Sequence, residues 1–309
     1  MIKIFGHKSP DTDSACSPIV YAWYLSNKKD TPAKPYIAGE VNRETEFIFK
    51  KFNIEKPEVL EKVMSEDKII ILDTNNPEEL PSGVDKAEII EIVDHHKLSG
   101  GLSTEIPIRI TIRPVACVAT ILWSMMKQEG DQDIPKDMVG LMLSSILSDT
   151  LKFTSPTTTQ EDENAAQELA EKIGEDIDKL AEEMFEAKSD LSGMEAKDIL
   201  LSDSKVFEIA GKKVRISVLE TTKPDNALVM KDELKAGMKH LKKEENLNLM
   251  FFFAVDILKT ASDLIVSEES EEDIAKKAFG KGFTDGKMHL DGVVSRKKQI
   301  VPNIEKAIK

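Results

Sequence analysis

Cysteine is scarce: Cys16 and Cys117 are the only two in 309 residues. Two thiols cannot build a disulfide framework, and they suit a reducing compartment, so a cytoplasmic protein is expected. Aromatic residues make up 6% of the chain, which leaves little with which to stack unpaired bases. Cations are outnumbered, 42 Lys and Arg against 56 Asp and Glu, for a formal net charge of -14. A general nucleic-acid surface needs a basic face, so nucleic-acid binding is not expected and any anion must be drawn in locally. Long apolar runs are missing too. The longest, near Leu249 to Leu258, is broken by Asp256 and falls well short of the roughly 18 residues a membrane span requires. Met1 to Phe5 is too short for the apolar core of a signal peptide and passes at once into polar residues. There is no internal repeat and no low-complexity tract.

The chain instead alternates short apolar runs with amphipathic stretches, the βαβ signature of a mostly parallel sheet. The spacing predicts strands near 2–5, 34–38, 68–72, 88–93 and 106–112, and helices near 14–26, 43–52, 117–129 and 135–147. Residues 159–187 are rich in Glu, Ala, Lys and Leu, with Leu169, Ile173, Ile177, Leu180 and Met184 at helical spacing. That periodicity fails over Ala187-Lys188-Ser189-Asp190-Leu191-Ser192-Gly193, where small polar residues gather as in a linker. From Ala196 a fresh α/β pattern begins, with β-like runs at 205–209, 213–219, 247–255 and 261–266. The length allows two α/β domains, each with its own core. Their expected bounds are 1–188 and 196–309, the second smaller, with a linker at 189–195.

Chemistry-bearing residues collect where these runs end. Gly6-His7-Lys8-Ser9-Pro10-Asp11-Thr12-Asp13-Ser14 follows the first apolar run, and Asp73 ends Lys68 to Leu72. Asp94-His95-His96 closes Glu88 to Val93, and Asp149 ends the stretch from Met138 to Leu147. Open α/β sheets bind ligands at such ends. Gly6 and Pro10 argue for a loop that can turn His7, Asp11 and Asp13 inward. Taken alone, Asp11-Thr12-Asp13 reads as a turn or helix cap, with Asp13 or Ser14 satisfying backbone N–H groups. Taken together, imidazoles and carboxylates without a thiolate make a metal site, and favour Mn, Co, Fe or Mg over a structural zinc.

Five segments carry a resemblance in order along almost the whole chain: Gly6-His7-x-x-Pro10-Asp11-Thr12-Asp13, Asp73, Asp94-His95-His96, Ser148-Asp149, and Ser295-Arg296-Lys297-Lys298-Gln299. Together they resemble a family II, manganese-dependent inorganic pyrophosphatase of the DHH phosphoesterase superfamily. The resemblance implies an N-terminal, mostly parallel sheet flanked by helices (DHH type), which holds the metals. It implies a smaller C-terminal α/β domain (DHHA2 type), which binds substrate. His7 and Asp11 would hold one ion, Asp13, His95 and Asp149 the other, and Asp73 would bridge both. His96 would face the substrate, and with Asp73 it is the expected catalytic group, while Asp94 is expected to orient rather than to ligate. The implied cofactor is a Mn2+ or Co2+ pair, with Mg2+ supporting it or accompanying the substrate. Two divalent ions roughly 3.5–4 Å apart lower the pKa of a bridging water from 15.7 toward about 7, supplying hydroxide to split pyrophosphate into two phosphates. Lys205, Arg296 and Lys297 are the implied phosphate ligands, Arg296 offering a planar fork. Substrate would then lie between the domains, which would close about the linker. A homodimer through the first domain is implied as well.

Some positions depart from the family pattern or stay open. If the strand-like lead-in Gly292-Val293-Val294 ran on, alternation would turn Lys298 inward with Arg296 and Lys297 away. Which lysine faces substrate is therefore open. Thr74-Asn75-Asn76 stands where many relatives carry His-Asn after the bridging aspartate, so an interaction of that histidine is missing or replaced. Pro114-Val115-Ala116-Cys117-Val118 replaces an expected glycine and hydroxyl residue, which puts a phosphate contact at that helix N-terminus in question. His240 and His289 match no motif and are expected on a helix surface and in a loop. The runner-up is an exopolyphosphatase or short-nucleotide phosphatase of the same superfamily. Those nuclease-type relatives carry a Gly-Gly-Gly-His motif in the second domain, which this chain lacks. A non-catalytic metal- or nucleotide-binding protein would need a broken ligand set, and none of the six expected ligands is replaced.

Overall fold

Isoleucine-rich runs without polar alternation belong to strands covered on both faces, and the first half of the chain is built on them. The computed structural model describes residues 1–309 and divides into two units, Met1–Ala187 and Lys188–Lys309. In the first, β1 (Ile2–Phe5), β2 (Ala33–Pro35), β3 (Lys68–Leu72), β4 (Glu88–Asp94) and β5 (Arg109–Ile112) form a wholly parallel sheet in the order β2-β1-β3-β4-β5. Its helices are α1 (Thr12–Lys28), α2 (Arg43–Lys51), α3 (Val118–Gln128), α4 (Lys136–Asp149), α5 (Gln160–Ile173) and α6 (Ile177–Lys188). Successive strand residues point to opposite faces. Ile4, Ile70, Leu72 and Val93 therefore join the helical core around Val20, Leu122, Leu143 and Leu169. Phe5, Ile69, Ile71, Ile89 and Ile92 bury the other face under Leu60, Val63, Leu80 and Val84, a register shift after Ile89 letting Ile89 and Ile92 share that face.

Two strands are shorter than the periodicity predicts. The run at 34–38 pairs only as Ala33–Pro35, after which Ile37 and Ala38 make isolated bridges. The run at 106–112 enters the sheet at Arg109, consistent with Pro107, which has no N–H to give a ladder. Two helices are longer: α1 starts at Thr12 and α4 runs on to Asp149.

The second unit comprises α7 (Ala196–Leu201), β6 (Ser204–Ile209), β7 (Lys212–Thr221), α8 (Asp225–Val229), α9 (Lys231–Glu244), β8 (Leu249–Asp256), β9 (Ala261–Ile265), α10 (Glu269–Phe279), β10 (Met288–Asp291) and α11 (Val301–Ile308). The sheet order is β10-β9-β8-β7-β6, parallel only between β7 and β8. Every residue of the central strand β8 is buried. Phe251, Phe253 and Val255 pack with Ala275 and Ile304, while Met250, Phe252 and Ala254 pack with Ile199, Leu234, Met238 and Leu241. His289 lies in β10 and not in a loop, its ring bonded through Nδ1 to Asp263 at 3.0 Å. His240 is on α9 and exposed, as expected.

Candidate metal centre

The strand order of the first sheet reverses direction between β1 and β3, and an open parallel sheet leaves a crevice at the carboxyl ends there. The segments after β1, β3 and β4 all arrive at that place. At Gly6 a Cβ would lie 2.1 Å from Ser14 Oγ, so only glycine lets α1 pack this close. The same Oγ accepts from the His7 N–H at 2.8 Å. Asp11 is the N-cap of α1, its Oδ1 accepting from Ser14 N at 2.9 Å. The cap and the site thus share one residue, since Asp11 Oδ2 stands 3.6 Å from His7 Nε2. Asp13 does not lie in a loop as expected. It sits in the first turn of α1, where the helix fixes its direction. Asp73 has φ +61°, a left-handed backbone that costs a side-chain-bearing residue about 1 kcal/mol or more. Its N–H donates to Val93 O at 3.0 Å, which holds that turn.

Three overlapping groups of donor atoms result, each within 4.8 Å: His7, Asp11 and Asp73; Asp13, His95 and Asp149; and Asp73, His95 and His96. Asp73 faces two ways, with Oδ2 3.4 Å from His7 Nε2 and Oδ1 3.0 Å from His95 Nε2. His7 Nδ1 is 2.8 Å from Lys8 O and His95 Nδ1 is 3.3 Å from Val115 O. The tautomer that donates Nδ1–H to those carbonyls leaves each Nε2 lone pair for a cation. His96 differs. Its Nδ1 is 2.9 Å from Asp94 Oδ1, and the side chain is half exposed.

Crowding of like charge shows in the protonation of the groups. Burial raises Asp13 to about 6, and the Asp73 charge adds to it. Asp149 is pushed well above the usual carboxylate range by burial and then by Asp13. Burial works against the charged form of His7, but hydrogen bonds and charge from Asp11 and Asp73 outweigh it and raise the ring to about 11. In His95 burial is likewise outweighed by Asp73, and the ring rises to about 9. Protons here balance negative charge that a divalent cation would balance better. The buried Oδ2 of Asp149 also lacks a hydrogen-bond partner, and that of Asp73 has only the long contact to His7 Nε2 at 3.4 Å. The residues therefore fit divalent ions. Burial pushes the thiols of Cys16 and Cys117 well up, and nearby Asp13 adds to both, so neither offers a thiolate.

The surrounding hydrogen bonds give the departures a physical account. Asp94 is fully buried, and its Oδ1 accepts from the N–H groups of His95 and His96 at 2.7 and 3.0 Å, while Oδ2 accepts from Asn75 Nδ2 at 2.5 Å. That is an orienting set and not a ligating one. Thr74, in place of the family's histidine, donates to Glu79 Oε2 at 2.7 Å and accepts from Asn76 N at 3.1 Å, so its polar atoms shape the loop. At the N-terminus of α3, Val118 N donates to Asp13 Oδ2 at 2.6 Å, and the preceding Ala116 N donates to Asp162. The chain's own carboxylates occupy the place where an external phosphate was in question. Sequence reasoning missed Ser17, which donates to Asp13 Oδ1, and Asp162 and Glu44, both fully buried. No linear signal marks them: a serine one turn on, and acids in first helical turns, are ordinary surface features.

In the second unit, Lys205, Arg296 and Lys297 line one cavity of about 480 Å³, together with Asp203, Phe207 and Glu220. Lys205 is the second residue of β6, near the strand start where it was expected. Gly292 turns the chain with φ +72° after β10, and Arg296–Ile300 forms a wide helical turn leading into α11. The expected strand-like lead-in is therefore a turn, alternation does not apply, and Lys298 is not among the lining residues. Arg296 Nη1 is pinned by Asp203, at 2.7 Å to Oδ1 and 3.0 Å to the backbone O.

Comparison with known proteins accords with these features. Residues 1–146 match the DHH family N-terminal domain, and residues 182–307 match the DHHA2 domain. A probable manganese-dependent inorganic pyrophosphatase of Bacillus licheniformis is 40% identical over 100% of this chain and 99% of its own length. The manganese-dependent inorganic pyrophosphatase of Methanothrix thermoacetophila is 38% identical over 100% and 98%. A crystal structure of a Methanococcus jannaschii protein described as a family II inorganic pyrophosphatase superposes with TM-score 0.70 at 34% identity, covering 99% of both chains. An exopolyphosphatase-related protein from Bacteroides fragilis shares the fold alone, with TM-score 0.52 at 17% identity. The ordered motifs, the shared aspartate at the sheet's switch point and the full-length identity all lead to one assignment: the chain belongs to the family II, manganese-dependent inorganic pyrophosphatases.

Proposed function

We propose that this chain hydrolyses inorganic pyrophosphate to two phosphates with a pair of divalent cations, Mn2+ or Co2+, and with Mg2+ supporting the pair or accompanying the substrate. One observation carries the reading: the two oxygens of Asp73 face two separate donor groups. His7, Asp11 and Asp73 would hold one ion, and Asp13, His95, Asp149 and Asp73 the other. When bound, such a pair supplies charge for the phosphoryl oxygens and brings the pKa of a water molecule toward neutrality.

The chain's own groups orient and balance. Asp94 accepts from the His96 ring at Nδ1 and raises its pKa, so that the half-exposed imidazolium can donate Nε2–H to a phosphate oxygen or to the leaving group. Lys205, Arg296 and Lys297 bring positive charge to the substrate from the second unit, Arg296 through the N–H groups that Asp203 does not engage. Pyrophosphate is compact and charged at both ends, which suits divalent ions and cationic side chains as its ligands. The fold supports a homodimer through the first unit, because β5 is an edge strand with Ile110 55% exposed. The two free, buried cysteines support a reducing, cytoplasmic setting. No helix is long and apolar enough to cross a membrane.

The test is phosphate release from pyrophosphate with Mn2+, Co2+ and Mg2+ compared. Pyrophosphate should exceed tripolyphosphate, ATP and a dinucleotide at least 100-fold in kcat/KM, about 2.7 kcal/mol. Equal or faster cleavage of long polyphosphate would overturn the substrate assignment.

A further inference from the structure

Glu44 lies in the first turn of α2 and is fully buried. Its Oε2 accepts from Thr12 Oγ1 at 3.0 Å and from Ser148 Oγ at 2.8 Å. Thr12 stands between Asp11 and Asp13, and Ser148 immediately precedes Asp149. One carboxylate oxygen thus joins the start of α1 to the end of α4, and each of those ends carries metal donors. The helix turn that carries it is held in place. Asn42 caps α2 by accepting from Thr45 N at 2.9 Å, and Thr45 Oγ1 lies 3.2 Å from Thr12 Oγ1. Thr12 and Thr45 are fully buried and Ser148 nearly so, which limits exchange of these bonds for water.

The need for such a tie follows from the way the donors are delivered. Asp13 and Asp149 reach their group from two helices that are distant in sequence, and metal sites tolerate displacements of only a few tenths of an ångström. Asp13 is oriented by Ser17 and by Val118 N, whereas Asp149 has a buried Oδ2 without a hydrogen-bond partner. Only the weak thiol donor of Cys117 meets the Asp149 carboxyl directly, so little on the carboxyl itself fixes that end of the pair. The bond from its neighbour Ser148 to Glu44, on the capped start of α2, does. We propose that Glu44 is a positioning residue of the metal centre, setting the distance between the Asp11–Asp13 segment and Asp149 through the hydroxyls of Thr12 and Ser148. The inference rests on the metal reading above.

Metal-free protein titrated with Mn2+, with free ion read by electron paramagnetic resonance and the fold by far-UV circular dichroism, tests it. Thr12→Val and Ser148→Ala change no charge, so they separate geometry from the loss of a nearby negative group. Each should weaken Mn2+ binding about 10-fold or more, the usual scale for bonds behind metal ligands. Glu44→Ala should weaken it at least as much, and Glu44→Gln, which keeps an acceptor, less. Adding Ser148→Ala to Glu44→Ala should change little further, because the bond is already gone. Glu46→Gln, an exposed position in the same helix, should bind as wild type does. Folded Thr12→Val and Ser148→Ala proteins that both bind within twofold of wild type would overturn the proposal, as would additive losses in the Glu44→Ala/Ser148→Ala variant. If Glu44→Ala does not fold, the two hydroxyl variants decide alone. Failure of the wild-type protein to bind Mn2+ would instead sink the metal reading, and the proposal with it.

Discussion

Asp73 concentrates the argument at the scale of single residues, because it alone has an oxygen toward each donor group. Asp73→Asn neutralises the proposed bridge, and its expected cost is three or more decades in turnover, about 4 kcal/mol. Near wild-type rates with both ions bound would remove the bridging assignment. The two neighbouring lysines should separate cleanly. Lys297 lines the cavity with Lys205 and Arg296 whereas Lys298 does not. Lys297→Ala is expected to lower kcat/KM for pyrophosphate about 10-fold, the scale of a charged hydrogen bond, and Lys298→Ala to leave it within about twofold, as for most surface changes. The reverse result would reassign the pair. His7, Asp11, Asp13, Asp73, His95 and Asp149 could be named as candidates before folding because their motifs resemble the family's and stand in its order, whereas each motif alone also reads as a turn or a cap. Glu44 and Asp162 were not, since an acid in a first helical turn is what the helix dipole favours on any surface.

Among the elements, α9 and α10 of the second unit are joined by a buried ion pair. Glu271, fully buried, accepts from Lys242 Nζ at 2.6 Å, from the N–H groups of Met250, Ser267 and Glu268 at 2.9, 2.8 and 3.1 Å, and from Ser267 Oγ at 3.0 Å. Glu271→Ala strands the buried Lys242 and several donors, so it should destabilise the second unit by about 3–5 kcal/mol. Chemical denaturation monitored by circular dichroism would show this, while Mn2+ binding at the first unit should be unchanged. A midpoint equal to wild type would mean that Glu268, 3.0 Å from Lys242 Nζ, suffices. Element type was readable from periodicity, and boundaries less so. Pro107 cut one strand short, Asp11 began α1 earlier than its apolar pattern, and β10 is four residues of Met-His-Leu-Asp whose pairing with β9 makes it a strand.

At the scale of the whole chain, the proposed metal donors lie before Lys188 and the proposed phosphate-binding cations after it. The first unit has its own core. A chain ending at Lys188 should therefore fold and bind Mn2+ yet hydrolyse pyrophosphate hardly at all. Folded, active truncated protein would refute that division of labour. Arg296→Ala in the full chain should slow turnover and weaken the substrate complex with Mn2+ affinity intact, and loss of Mn2+ binding would refute it equally. Read along the chain, composition excludes a disulfide scaffold and a membrane span, and strand-end motifs establish the donor types, their order and the α/β class, because those depend on local pattern. Folding supplies what no linear spacing contains. It brings residues 7, 11, 13, 73, 95 and 149 to one crevice, gives Asp73 its left-handed backbone, spends the α3 N-terminus on Asp13, and turns Arg296 and Lys297 rather than Lys298 into the cavity. These are outcomes of strand order and helix packing between segments distant in sequence, where a displacement of an ångström decides whether a carboxylate is a ligand, a cap or a surface charge.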